Sequence, residues 1–188
     1  MNKFDSDITI RLLKDSDSLT ELTFLLHKSY KALADQGFRF LATFQDEETT
    51  KLRIKNCECY IMLNGQKMIG TICYRSPIVK EEHEYFNKPF VASFGQFAID
   101  PEFQHLGLGS KLVEMAEKCA LRDNAEEIAL DTAEGATELI SFYKNRGYTF
   151  HSYAKWAITN YRSVILRKKI NADSLSQNPQ PKTQNPEL

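Results

Sequence analysis

The chain has 188 residues, 42% of them hydrophobic, and a formal net charge of −1. One domain with a full core is therefore expected. The missing basic excess argues against nucleic-acid binding, and no run of 18 apolar residues is present to span a bilayer. The start, Met1-Asn2-Lys3-Phe4-Asp5-Ser6-Asp7, lacks the apolar centre of a secretory signal, so a cytoplasmic location is expected. Cys57, Cys59, Cys73 and Cys119 suit reduced core thiols. His27, His83, His105 and His151 are scattered without ligand spacing, so no metal is expected.

In chain order, Ile8-Thr9-Ile10-Arg11-Leu12 alternates apolar and polar residues and predicts a strand. Asp15-Ser16-Asp17-Ser18 offers helix N-caps. Leu19, Leu22, Leu25, Leu26 and Tyr30 follow at helical spacing to about Ala34, and Gly37 stops the helix. A second, polar helix is expected over 46–55. Phe38, Phe40 and Phe44, between the two, either line a pocket or pack the helix pair onto a sheet. Strands are expected over 57–63 and 66–74, joined at Asn64-Gly65, a strong hairpin signal. Residues 75–88 form a polar loop. Its cluster Glu81-Glu82-His83-Glu84 is either a solvated surface or an attractor for a cationic amine.

A strand over 90–99 runs into Asp100-Pro101-Glu102-Phe103-Gln104-His105-Leu106-Gly107-Leu108-Gly109-Ser110, and a helix opens just after the glycines. Its stripe is Leu112, Val113, Met115, Ala116, Cys119 and Ala120, and Lys111, Glu114, Glu117 and Lys118 are placed on the exposed face. Unpaired N–H groups at a helix N-terminus, with the helix dipole behind them, form an anion site. Glycines let backbone approach a phosphate closely. A P-loop is excluded, because Gly109-Ser110-Lys111 has the closing residues in the wrong order. The dinucleotide fingerprint lacks its third glycine, where Leu112 stands. The strand at 127–131 should lie parallel to the one before the loop, through a right-handed crossover.

After Asp131, a helix holds Leu139, Ile140, Phe142 and Tyr143, and Gly147 caps it. Two closing strands are expected before residue 170. From residue 171 on, Ser, Gln, Asn and Pro dominate, so a single domain over 1–170 and a disordered tail over 171–188 are expected.

Strand, Gln104-His105-Leu106-Gly107-Leu108-Gly109 and helix together resemble the acetyl-coenzyme A loop of the GCN5-related N-acetyltransferases, the GNAT superfamily. Phe142-Tyr143-Lys144-Asn145-Arg146-Gly147-Tyr148, roughly 35 residues on, resembles that family's second signature, an apolar residue, Tyr, three residues, Gly and Phe or Tyr. The resemblance covers about residues 8–170 and is sharp over 91–148. It implies an α+β fold, with a central mixed, mostly antiparallel sheet of six to seven strands and helices on both faces. It also implies acetyl transfer from acetyl-CoA to a primary amine of a small molecule or peptide, by direct attack in a ternary complex. A homodimer is left open.

The resemblance carries roles onto matching residues. Backbone at Gln104, His105, Leu106, Gly107, Leu108, Gly109 and Ser110 would hold the pyrophosphate. The strand edge at Phe97, Ala98 and Ile99 would pair with the pantetheine arm, and a backbone N–H there would face the thioester oxygen. Tyr143 would bond the coenzyme sulfur and act as general acid; the alternative is an aromatic on the buried face of its helix. Only a free amine attacks, and an alkylammonium has a pKa of about 10, so a base is needed. Many family members carry a Glu on the strand before the loop. Here Ser93-Phe94-Gly95-Gln96 stands there, which leaves Asp131, Glu82, Glu84 or a water relay. The missing Glu keeps a second reading open, a non-catalytic acyl-CoA-binding or sensor module on the same fold.

Overall fold

Alternating apolar residues build the sheet. Its strands are β1 (Ile8–Leu12), β2 (Glu58–Asn64), β3 (Lys67–Arg75), β4 (Val91–Ile99), β5 (Glu127–Ala133), β6 (Thr149–Ala154) and β7 (Ser163–Lys169), in the order β1-β2-β3-β4-β5-β7-β6. All neighbours are antiparallel except β4 and β5, which run parallel. Helix α3 (Leu108–Arg122) makes the crossover between them, as parallel neighbours require. The other helices are α1 (Leu19–Asp35), α2 (Glu47–Ile54) and α4 (Thr137–Lys144). The architecture is the expected α+β one. The structure, a computed structural model, describes residues 7–171, so the tail expected over 171–188 lies almost wholly outside the described residues.

The period of two sorts side chains onto two faces. Cys59, Ile61 and Cys73 pack with Leu22, Leu25 and Leu26 of α1. Tyr60, Met62, Ile72 and Tyr74 pack with Leu112, Val113, Ala116 and Ala120 of α3. Caps set where the helices begin. The Ser18 hydroxyl accepts from the Glu21 N–H at 3.1 Å, and the Asp46 carboxylate accepts from the Thr49 N–H at 2.8 Å. Helix α4 ends in a Schellman arrangement. Gly147, at φ +85°, donates to Lys144 O at 3.0 Å, and Tyr148 N–H reaches back to Tyr143 O at 3.2 Å.

Three local expectations are corrected. The hairpin turn is Gly65-Gln66, because Asn64 still pairs with Lys67; Gly65, at φ +60°, fills the first central position of the turn. Glu117 is not on the exposed face of α3. It is 1% exposed, accepts from Tyr148 OH at 3.0 Å and pairs with Lys168 Nζ at 2.9 Å, so its charge is buried but satisfied. The acidic loop is not wholly solvated, since Ser93 Oγ donates to the Glu81 carboxylate. Burial pushes the Glu81 pKa up against the pull of Arg75 and that hydrogen bond. All four cysteines are free thiols. Among the described residues no group of His, Cys, Asp and Glu could hold a metal, and no helix is long and apolar enough to cross a membrane.

Candidate active site

The site begins where the two parallel strands part. β4 pairs with β5 only from Val91–Glu127 to Ser93–Ala129. Beyond that, β4 stays with β3 as far as Ile99, and β5 stays with β7 as far as Ala133. Each strand therefore keeps one edge unpaired, and a wedge opens between them. Asp100 donates to Ile69 O on β3 at 2.8 Å, so by alternation Phe97 and Ile99 turn their backbone groups to the open edge. Their carbonyls are already occupied. Tyr30 OH donates to Phe97 O at 3.1 Å, and Gln104 Nε2 donates to Ile99 O at 3.0 Å.

The glycine loop closes one end of the wedge. Gly107 is the N-cap of α3 at φ +77°, with no side-chain cap, and His105 also sits at positive φ, +62°. Helix α3 opens at Leu108, one residue before the second glycine. Among the described residues the first loop amide after Gln104 with a backbone acceptor is Ser110, which donates to Gly107 O at 3.1 Å. The preceding N–H groups are left to point outward with the helix dipole behind them. A Cβ on Gly109 would lie 3.1 Å from Phe97 Cζ, so the glycine lets the loop seat against the strand. Arg146 stacks on Phe142 at 3.6 Å and donates to Ser110 Oγ, bringing a cation beside the same amides.

Toward the point where β4 and β5 part, a cavity of about 180 Å³ lies beside Phe94 to Phe97 and Leu130 to Thr132. Tyr143 lines it, wedged among the rings of Phe94, Phe97, Phe142 and Tyr148. Burial drives the Tyr143 pKa well above its usual value, so the phenol stays protonated. Asp131 projects from β5 into the cavity and accepts from Trp156 Nε1 at 2.8 Å. Its side chain is open to the cavity, yet protein surrounds the cavity. That confinement raises its pKa, against the Trp156 hydrogen bond and the distant pull of Arg53 and Arg75. The roof is a strap over residues 36–45. The Asn160 side chain accepts from Arg39 N–H and donates to Gly37 O, both at 2.8 Å, and Phe40 packs on Tyr161 at 4.8 Å.

The sequence pattern described as "Acetyltransferase (GNAT) family" matches residues 21–148. The chain belongs to this family. It is 31% identical over 162 residues to S-(2-succino)cysteine N-acetyltransferase of Bacillus subtilis (strain 168), covering 84% of this chain and 94% of that relative. It is 29% identical over 146 residues to S-alkylcysteine N-acetyltransferase of the same organism, covering 76% and 79%. The crystal structure of PH1933 from Pyrococcus horikoshii OT3 superposes with a TM-score of 0.68 at 23% identity, over 87% of this chain and 99% of that one. The protein is an acetyl-CoA-dependent N-acetyltransferase of the GNAT family.

Within this GNAT domain the residues expected for the cofactor, from Phe97 to Ser110, run from the end of β4 through the glycine loop into α3, and Tyr143 packs against Phe97. Of the three carboxylates weighed as base, Asp131 alone lines the cavity; Glu82 and Glu84 are exposed on the surface. The three phenylalanines divide. Phe40 lines the cavity, Phe38 packs edge-on against Phe40 and Tyr161, and Phe44 is half exposed beneath Arg39. Sequence reasoning passed over Arg53, Tyr30 and Trp156, which no local spacing connects to the loop.

Proposed function

We propose that the chain acetylates the α-amino group of a small S-substituted cysteine by direct attack in a ternary complex, with Tyr143 as general acid and Asp131 as general base. The observation that carries this is that a confined carboxylate and a protonated phenol line one cavity, beside the point where β4 and β5 part. The acceptor class is supported by the two cysteine N-acetyltransferases to which the chain is similar. It is also supported by the apolar wall of Phe40, Trp156, Ile158 and Tyr161, against which a sulfur substituent can lie.

Acetyl-CoA supplies the activated acetyl thioester. The free amides of Leu106 to Gly109, at the N-terminal end of α3, offer donors to its pyrophosphate, the Ser110 amide being taken by Gly107 O, and the open edge at Phe97, Ala98 and Ile99 offers a strand partner to its pantetheine arm. A backbone N–H of that strand edge receives the oxygen on which negative charge develops. Asp131 takes one proton from the ammonium and passes it to solvent; its raised pKa makes the carboxylate a better base than an exposed one. Tyr143 delivers a proton to the departing sulfur and regains one from the attacking nitrogen. The amide nitrogen keeps the third.

Release of free thiol from acetyl-CoA, measured with S-alkylcysteines and S-(2-succino)cysteine as acceptors, tests the proposal. Acceptor-dependent release is expected, and Tyr143→Phe should reduce kcat by about 10- to 1000-fold. Tight acetyl-CoA binding with no thiol release for any amine would leave a binding module instead.

A further inference from the structure

The cavity holds a cation that no carboxylate touches, although Asp131 lines the same cavity. Arg53, at the C-terminal end of α2, lines the cavity and is half buried. Among the described residues no carboxylate lies within 4.0 Å of its guanidinium, and its one side-chain hydrogen bond is from Nη1 to Gln45 Oε1 at 2.5 Å. Burial lowers the Arg53 pKa and Arg75 adds to that, against the pull of Asp131 across the cavity. A half-buried guanidinium is costly unless something pairs with it.

The guanidinium is also fixed in place. Gln45, which receives its Nη1, is 2% exposed and donates from Nε2 to Thr50 Oγ1 at 2.7 Å. Thr50 is fully buried and accepts from Thr23 Oγ1 at 2.8 Å. His27 Nε2 lies 2.7 Å from Gln45 O. This chain of buried polar groups runs from α1 to α2 and holds Arg53 by its far side. Its remaining donors are left to the cavity.

A second observation points to a ligand in the same place. Gln96 lines the cavity and is 3% exposed, yet neither Oε1 nor Nε2 has a partner. It sits at φ +49° in a bulge of β4, where Gly95 to Ala98 spans the step from Cys73 to Thr71 on β3. Bulges re-aim side chains. Thr132 Oγ1, on the facing strand, is likewise buried and unpartnered. Buried polar groups in folded proteins are almost always paired, so two orphans lining the same cavity as Arg53 indicate groups that a ligand satisfies.

We infer that Arg53 is the receptor for a carboxylate on the acceptor, so that the enzyme selects α-amino acids over simple amines, with the Gln96 amide bridging the carboxylate and the amine that Asp131 faces. Arg53 and Asp131 then present one positive and one negative group to a zwitterion, whose own two charges have the opposite order. Guanidinium is suited to this because its planar fork matches a carboxylate. Arg53 touches the acceptor away from the reacting bond, so it acts on selection, and Asp131 and Tyr143 keep the proton transfers.

The inference rests on the acetyl-transfer reading above, and its test separates the two. Three acceptors sharing one tail are compared: S-benzyl-L-cysteine, its methyl amide, and the decarboxylated amine, each with the wild-type protein and with Arg53→Gln. The wild type should prefer the acid by about 100-fold in kcat/KM over both neutral amines. Arg53→Gln should cut that preference to a few-fold through a raised KM for the acid, with the neutral amines unchanged. Arg53→Lys should restore part of it. Melting temperature and the acetyl-CoA-induced shift, measured on each variant, check that the fold is intact. Equal turnover of acid and neutral amines by the wild type would overturn the inference and leave acetyl transfer standing. So would equal loss on all three acceptors in a folded Arg53→Gln. If acetyl-CoA binds and none of the three is acetylated, the carboxylate inference falls; if acetyl-CoA does not bind, the acetyl-transfer reading falls with it.

Discussion

The two ends of the wedge between β4 and β5 work with different parts of the chain. At the glycine-loop end the chemistry is in the backbone: free amides, a left-handed N-cap at Gly107 and an unpaired strand edge. At the cavity end it is in side chains brought from α1, α2, β4, β5, α4 and the loop before β7. A backbone site can be written in one short stretch, because consecutive amides are held by consecutive residues. A side-chain site is assembled by the fold. A common donor and a family-specific acceptor map naturally onto that division. In the proposed reading the loop end takes the fixed anion of the donor, and the cavity end can change by single substitutions without disturbing the sheet.

The largest effect that would sharpen this comparison is expected from Asp131→Asn. Among the described residues Asp131 is the only carboxylate lining the cavity, so kcat should fall by about 10²- to 10⁴-fold while acetyl-CoA affinity, measured by calorimetric titration, stays unchanged. Stability should move the other way. Because burial raises the folded-state pKa of Asp131, the stability this group contributes is present at low pH and is lost as pH rises through that pKa. The Asn variant does not lose it, so its melting temperature at neutral pH should be no lower than that of the wild type. A smaller effect at the opposite end is expected from Gly107→Ala. A Cβ there meets nothing within 4 Å, so the change acts only through the left-handed backbone, at about 1–2 kcal/mol. Acetyl-CoA binding should weaken by about tenfold and the acceptor KM should hold. A shift in acceptor KM alone would break the division between the two ends.

The smallest effect belongs to neither end. The bidentate pair of Arg11 with Asp17, at 2.6 and 2.8 Å, holds the Asp17 carboxyl down at about 2. A depressed carboxyl contributes stability that is present above its unfolded pKa and is lost as pH falls through the folded value. Melting temperature should therefore decline between about pH 4 and about pH 2, and Asp17→Asn should flatten that slope. At neutral pH the variant should lose about 1 kcal/mol or less and leave both kinetic constants unchanged.

The same division explains what the sequence made legible. The run from β4 through Gly109 into α3 is contiguous, and the Tyr143–Gly147 signature is compact, so both could be read from spacing. The hairpin was legible but its register was not. Asn-Gly suggests a turn centred on both residues, whereas Gly65 alone at positive φ shifts the turn by one position. Glu117 was assigned to solvent because charged residues at that helical phase usually face it. Its partner, Lys168, lies 51 residues away on the last strand, beyond any local pattern. Arg53 was hidden in the same way. It sits in a helix that is polar on most sides, and only the folded chain, through its bond to Gln45, sets it beside the cavity. Gln96 read as a missing base, and its orphaned amide is a fact of the bulge, which no periodicity announces.

The most direct test of the wedge as an acetyl-CoA site is the melting temperature with and without acetyl-CoA, with ATP and NAD as controls. Ligand at about 100 times its dissociation constant should stabilise the fold by about 2.7 kcal/mol, a rise of several degrees. The predicted result is a rise with acetyl-CoA alone. An equal rise with ATP, or no rise with acetyl-CoA, would contradict the account and leave Gly107 and Gly109 as a tight strand-to-helix turn.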